Sequence, residues 1–235
     1  MQRRRNTVSL QKKIQESVAL LNQAAHEFAP ARFSTSFGAE DQVVMDLIAR
    51  HLPALVRVFT LDTGRLHQET YDVMNLTITR YRIPIQVYFP RHDLLEEHLN
   101  SHGPNAFYES IALRKACCNV RKVEPLRRAL EGAGSWITGL RREQAVTREN
   151  LAGHAWEESF RLEKFNPLLE WSQQEIWEYL LVHNVPYNTL HNQNFPSIGC
   201  APCTRAISSN EEIRAGRWWW ESPETKECGL HARSA

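Results

Sequence analysis

The spacing of apolar residues switches back and forth along this chain, and that alternation restricts the available folds more than any other feature. Leu10, Ile14, Val18, Leu21, Ala25 and Phe28 step by three and four, the period of an amphipathic helix. ARFSTSF (31–37) then reads as a strand, followed by a helix carrying Val43, Val44, Leu47 and Ile48. LVRVFTLD (55–62) is a β-branched run stopped by TGR, and helical HQETYDVMNLTITRY (67–81) follows. IPIQVYF (83–89) and GSWITGL (134–140) supply a third and a fourth strand. SQQEIWEYLLVHN (172–184) is a helix with Ser172 at its N-cap, Glu175 closing a capping box and Pro186 beyond its end. Strands alternating with helices predict an α/β fold: a mostly parallel open sheet, right-handed crossovers and helices on both faces.

At 235 residues the chain can bury one full α/β core. A formal net charge of +1 gives no global field for nucleic acid or an anionic membrane. No run approaches the roughly 20 apolar residues of a membrane span, and MQRRRNTVSLQKKIQES lacks the apolar stretch of a secretory signal. A cytoplasmic protein is expected. Its five cysteines then read as metal ligands or reactive thiols, not disulfides. Basic residues gather locally: Arg114, Lys115, Arg121, Lys122, Arg127, Arg128, Arg141, Arg142 and Arg148 lie within 111–150, a local excess that suits a small polyanion. No residue pattern sets the oligomeric state, so a homo-oligomer stays open.

In an open parallel sheet, ligands bind beyond the carboxyl ends of the strands where the strand order reverses. Two turns there carry suitable groups. STSFGAED (34–41) could present backbone N–H groups to an anion at a helix N-terminus. In LDTGR (61–65), Gly64 permits close approach and Asp62 could accept from ribose hydroxyls. Neither a Walker loop nor a G-x-G-x-x-G fingerprint is present. Cys117 and Cys118 are adjacent, while Cys200 and Cys203 form CAPC. Two such pairs can hold zinc or an iron–sulfur cluster. The roughly 100° between neighbouring side chains on a helix suits the wider spread of a [4Fe–4S] cubane; a redox CAPC dithiol would leave Cys117 and Cys118 unexplained. Cys228 is then the leftover thiol, with Lys226 and His231 nearby to favour its thiolate, and so a candidate nucleophile.

STSFGAED, LDTGRLHQETY, RKACCNVRK, TGLRREQ, CAPCTR, IRAGRWWWE and KECGLH together resemble the successive motifs of the assimilatory adenylyl-sulfate (APS) and phosphoadenylyl-sulfate (PAPS) reductases, from about residue 30 to 231. The resemblance implies an adenine-nucleotide α-hydrolase-like nucleotide-binding and reductase domain over 1–210 and a C-terminal catalytic tail over 211–235. It implies a nucleotide loop of Ser34, Ser36, Phe37, Gly38 and Asp41, and an adenosine site at Leu61, Asp62, Thr63 and Gly64. Lys122, Arg141, Arg142, Arg214 and Arg217 would surround the phosphosulfate, and His231 would orient Cys228. Cys117, Cys118, Cys200 and Cys203 match the ligands of a [4Fe–4S] cluster, found mainly in the members that use APS. Cys228 would attack the sulfate sulfur, and thioredoxin or a similar dithiol would release sulfite. PAPS reduction is the near alternative; an ATP-using adenylyltransferase or a zinc-stapled binding module are more distant ones. Ala145 stands where many relatives carry Ser. No appended thioredoxin-like domain is expected, and Pro223 and Gly229 are expected to bracket a tail able to close and swing out. The run Trp218–Trp220 reads as packing, with no catalytic role.

Overall fold

Each of these apolar runs becomes the element its period predicts in the computed structural model, which describes residues 2–144, 151–222 and 226. The four runs form β1 (Ala31–Thr35), β2 (Val56–Leu61), β3 (Ile85–Tyr88) and β4 (Ser135–Ile137). A further hairpin, β5 (His154–Glu157) and β6 (Leu162–Phe165), has no counterpart in the sequence reading. The strands form one sheet in the order β3-β2-β1-β4-β6-β5. All neighbours run parallel except β5, the edge strand, which is antiparallel to β6. The chain winds outward from β1 to β3, then returns to the other side of β1 at β4, so the order reverses between them.

The strand alternation explains both layers. Ala31, Phe33, Val56, Val58, Ile137 and Phe165 share a core with residues of α1 (Gln2–His26), α2 (Ala39–His51) and α7 (Gln173–Val182). Phe59, Trp136 and Leu162 face the other way, onto Leu126, Ala129 and Leu130 of α6 (Glu124–Leu130). Burying each large apolar side chain contributes about 1.5–3 kcal/mol, so a one-residue slip in any strand would be opposed on both faces. Polar groups fix the helices within these layers. Asp46, buried in α2, accepts from Tyr81 Oη (2.8 Å), Tyr179 Oη (2.7 Å) and Arg50 Nε (2.6 Å), tying α2 to α7 and to α3 (Gln68–Tyr81). The capping box of α7 forms: Ser172 Oγ accepts from the Glu175 N–H, and Glu175 Oε2 accepts from the Ser172 N–H.

Between β3 and β4 lie α4 (His92–His102) and α5 (Ile111–Cys118), and α5 runs into a π-helical turn, Asn119–Val123, before α6. Such turns widen the helix by one residue and are frequent at functional sites; this one carries Lys122. Residues 211–222 dock on the body. Thr204 and Arg217 form an antiparallel bridge, and the Trp218 N–H donates to Cys203 O (3.2 Å). Among the described residues, no helix is long and apolar enough to cross a membrane.

Candidate active site at the strand carboxyl ends

A cavity of about 250 Å³ opens where β1, β2 and β4 end, at the reversal of strand order. Ser34, Ser36, Gly38 and Asp41 line it from the turn after β1. Asp41 Oδ2 accepts from the Ser36 N–H (2.6 Å) and hydroxyl (2.7 Å), which folds this turn back on the start of α2. Burial pushes the Asp41 carboxyl up to about 6, against the pull of those two hydrogen bonds. Gly38 is the N-cap of α2 and supplies no side-chain cap, so first-turn N–H groups are available to an anion. Leu61 and Thr63 line the cavity after β2; Thr138, Gly139 and Arg141 do so after β4.

The opposite wall is cationic. Lys122 from the π-helical turn, Arg214 and Arg217 all reach the same cavity. Arg217 is buried and donates from Nη1 to Ile198 O (3.1 Å). Its guanidinium lies over Gly199, where a Cβ would come within 2.4 Å of Nη2. Cys200 is also in the wall, with Thr63 Oγ1 3.3 Å from its Sγ. Behind it the two cysteine pairs stand on neighbouring elements: Cys117 and Cys118 end α5, while Cys200 and Cys203 bound the short turn Ala201–Cys203. All four are free. Burial pushes the Cys203 thiol up to about 11, reinforced by Cys200 and Cys117 and opposed by Lys122 and Arg217. Burial raises Cys117 as well, with Arg121 opposing. Cys117, Cys200 and Cys203 are therefore close enough to act on one another, and Cys203 also feels the cations Lys122 and Arg217 of the cavity. Among the described residues, no three His, Cys, Asp or Glu side chains gather as tightly as a single metal ion requires.

Residues 30–206 match the family model described as the phosphoadenosine phosphosulfate reductase domain. The chain belongs to that family. It is 51% identical over 218 residues to the adenosine 5'-phosphosulfate reductase of Allochromatium vinosum, covering 92% of this chain and 84% of that protein. It is 46% identical over 226 residues to the enzyme of the same name from Burkholderia cepacia, covering 96% and 90%. Among solved structures, a phosphoadenylyl-sulfate reductase from Candida auris in a phosphate complex superposes with a TM-score of 0.69 at 28% identity, covering 81% of this chain and 90% of that one. The FMN adenylyltransferase of Candida glabrata reaches a TM-score of 0.59 at 17% identity, covering 94% and 77%, a likeness of fold alone. The sheet is thus of the adenine-nucleotide α-hydrolase-like kind.

In this member of the PAPS reductase family several expected contacts are placed away from the cavity. Phe37 does not line it: its backbone takes φ 59°, its N–H donates to Thr35 Oγ1 (3.0 Å), and its ring is buried. Asp62 turns inward, accepting from the Gly64 N–H (2.8 Å) and Tyr71 Oη (3.0 Å), so it shapes the turn. Gly64, at φ 69°, serves the same turn, against which Arg121 donates to Thr63 O (2.6 Å). Arg142 stands apart on the surface, paired with Glu170 (2.6 Å). Arg141 lines the cavity, yet its guanidinium is taken up by Glu40 (2.8 Å), Glu143 (3.1 Å), Trp171 O (3.2 Å) and Gln173. Cys228, His231, Arg148, Pro223 and Gly229 lie outside the described residues. Conversely, Gln173, His191 and Trp218 line the cavity although no motif reading placed them there. Burial holds the His191 imidazole below its ordinary value, and its Nε2 has no partner among the described residues.

Proposed function

We propose that this chain reduces adenosine 5'-phosphosulfate to sulfite and AMP by thiol chemistry, within sulfate assimilation. The observation that carries the reading is the convergence of Lys122, Arg214 and Arg217 on one cavity at the strand ends, in a chain whose curated relatives bear that enzyme's name. Guanidinium and ammonium donors suit the oxygens of a phosphosulfate. The loop of Ser34–Asp41 and the turn at Leu61–Thr63 would receive the nucleotide. The Cys228 thiolate attacks the sulfate sulfur, forming an S–S bond while the S–O bond to the phosphate breaks and AMP leaves with that electron pair. Lys122, Arg214 and Arg217 hold the oxygens that gain charge in this step. A dithiol reductant, thioredoxin or a similar carrier, then attacks Cys228 Sγ and releases sulfite. Its second thiol resolves the mixed disulfide, so two electrons come from the carrier.

Cys117, Cys118, Cys200 and Cys203 fit a [4Fe–4S] cluster. The donor set is all thiol and comes as two pairs, from the end of α5 and from the turn Ala201–Cys203, with Cys117 and Cys200 both acting on Cys203. A cluster held there would supply a fixed charge beside the anion site, acting through Lys122. The four described cysteines form no disulfide, which suits a reducing compartment, the cytoplasm. The family description and the Candida auris structure favour PAPS as a second substrate reading.

Steady-state kinetics with both nucleotides and thioredoxin test the substrate. APS is expected to win in kcat/KM by well over tenfold, and a PAPS preference would overturn this. Anaerobically purified protein is expected to carry iron and acid-labile sulfide in cluster proportion; stoichiometric zinc in their place would reject the cluster.

A further inference from the structure

Trp218 combines four features that packing alone does not explain. It is buried to 1% exposure, yet its backbone takes φ 40°, a left-handed conformation that bulky side chains rarely adopt. Two guanidiniums lie over its indole, Arg217 at 4.6 Å and Arg114 at 4.9 Å from the ring centroid. The residue lines the cavity together with Lys122, Arg214 and Arg217. Its Nε1–H is buried and has no acceptor among the described residues. A buried donor left unpaired opposes folding, and native structures keep few of them. The strained turn is held by its neighbours: the Trp218 N–H donates to Cys203 O and Trp218 O accepts from the Glu221 N–H (2.9 Å). The fold therefore fixes the indole at the cationic wall.

We infer that the Trp218 Nε1–H is a substrate donor, hydrogen-bonding an oxygen at the sulfuryl end of the bound nucleotide. This rests on the APS reading above. An indole nitrogen donates only, so the partner must be an acceptor, and the cations around it select an oxyanion. Cations over a ring draw density from it and strengthen its N–H as a donor. The indole adds a directional contact without another charge, in a wall where each further cation would repel those present. Placed beside Arg217 and Lys122, it would distinguish the sulfuryl-bearing substrate from AMP, which lacks that group.

The test uses the full chain carrying Cys228→Ser, which cannot take up the sulfonate, with and without Trp218→Phe. That change keeps an aromatic ring and removes the pyrrole portion with its N–H, the AMP titration reporting any general loss from the smaller ring. Calorimetric titration with APS and with AMP is expected to show APS binding weakened roughly ten- to hundredfold in Trp218→Phe, with AMP binding unchanged. Unchanged affinity for both nucleotides, or equal loss for both, overturns the assignment. Failure of the parent to bind APS at all overturns the APS reading and the assignment with it. Should Trp218→Phe not fold, the parent's indole N–H resonances decide: of the seven Trp, one must shift with APS and stay in place with AMP. The absence of such a resonance overturns the assignment.

Discussion

Arg114 of α5 and Glu221, 107 residues later, form a bidentate ion pair at 2.8 and 2.7 Å with both side chains withdrawn from water, 0% and 2% exposed. The pair fastens the last described segment to the helix that ends in Cys117 and Cys118, with Arg114 lying against both Cys118 and Trp218. Breaking one side of a buried pair leaves the other charge uncompensated and costs about 3–5 kcal/mol, whereas replacing both partners by apolar groups costs much less. Glu221→Gln and Arg114→Met are each expected to lower stability by that order in urea unfolding. The Arg114→Met/Glu221→Met double variant should be more stable than either single one. A double variant showing the sum of both losses would mean that the two residues act independently.

The cations divide by position. Lys122, Arg214 and Arg217 face the cavity, so replacing any of them by Met should lower kcat/KM for APS roughly ten- to hundredfold, the worth of a hydrogen bond to a charged group. Arg142, paired with Glu170 outside the cavity, should leave kcat/KM within about threefold when replaced. Arg141→Met should act first on stability, because it strands Glu40 and Gln173. Kinetics and thermal melts on this set check the division; an Arg142 variant as damaged as the Arg217 variant would refute it.

Gly199 gives a geometric test of Arg217. A methyl at Gly199 would press on the guanidinium at 2.4 Å, so Gly199→Ala should displace Arg217 and lower kcat/KM tenfold or more. The melting temperature should fall by only a few degrees, since a flexible side-chain end can give way. Full activity in Gly199→Ala would show that Arg217 is not needed where it lies.

Asp41 sets a pH signature. Its carboxyl lies at about 6 in the folded chain, above the ordinary 3.8, chiefly through burial. A carboxyl raised on folding favours the fold while protonated: the contribution is whole below about 4 and is lost as pH rises through about 6. Stability of the wild type relative to Asp41→Asn should therefore decline between pH 4 and 7 and stay level above. Urea midpoints of both proteins across that range measure it. A constant difference would place the Asp41 carboxyl at its ordinary value.

Much of this was legible because it rests on local periodicity. Val56, Val58 and Phe59 announce β2, Ser172 and Glu175 announce the start of α7, and two turns with small polar residues mark the strand ends. Spacing also showed the cysteine pairs, since adjacent and C-x-x-C thiols need no tertiary context to be noticed. What stayed hidden depends on distant contacts. The short strands of the β5–β6 hairpin have no strong alternation, and β6 gains its place by pairing with β4. Asp62 and Arg141 belong to suggestive motifs, but their charges meet Tyr71 and Glu40, partners that only folding brings near. His191 and Trp218 reach the cavity from irregular segments, so no period could point them there.

The proposed reaction turns on Cys228 taking the sulfonate from the nucleotide. Cluster-loaded protein mixed with APS and no reductant, then digested and read by mass spectrometry, tests it directly. One sulfonate on the peptide bearing Cys228, released as sulfite when thioredoxin is added, is the predicted result. An unmodified Cys228 in protein that binds APS would contradict the account.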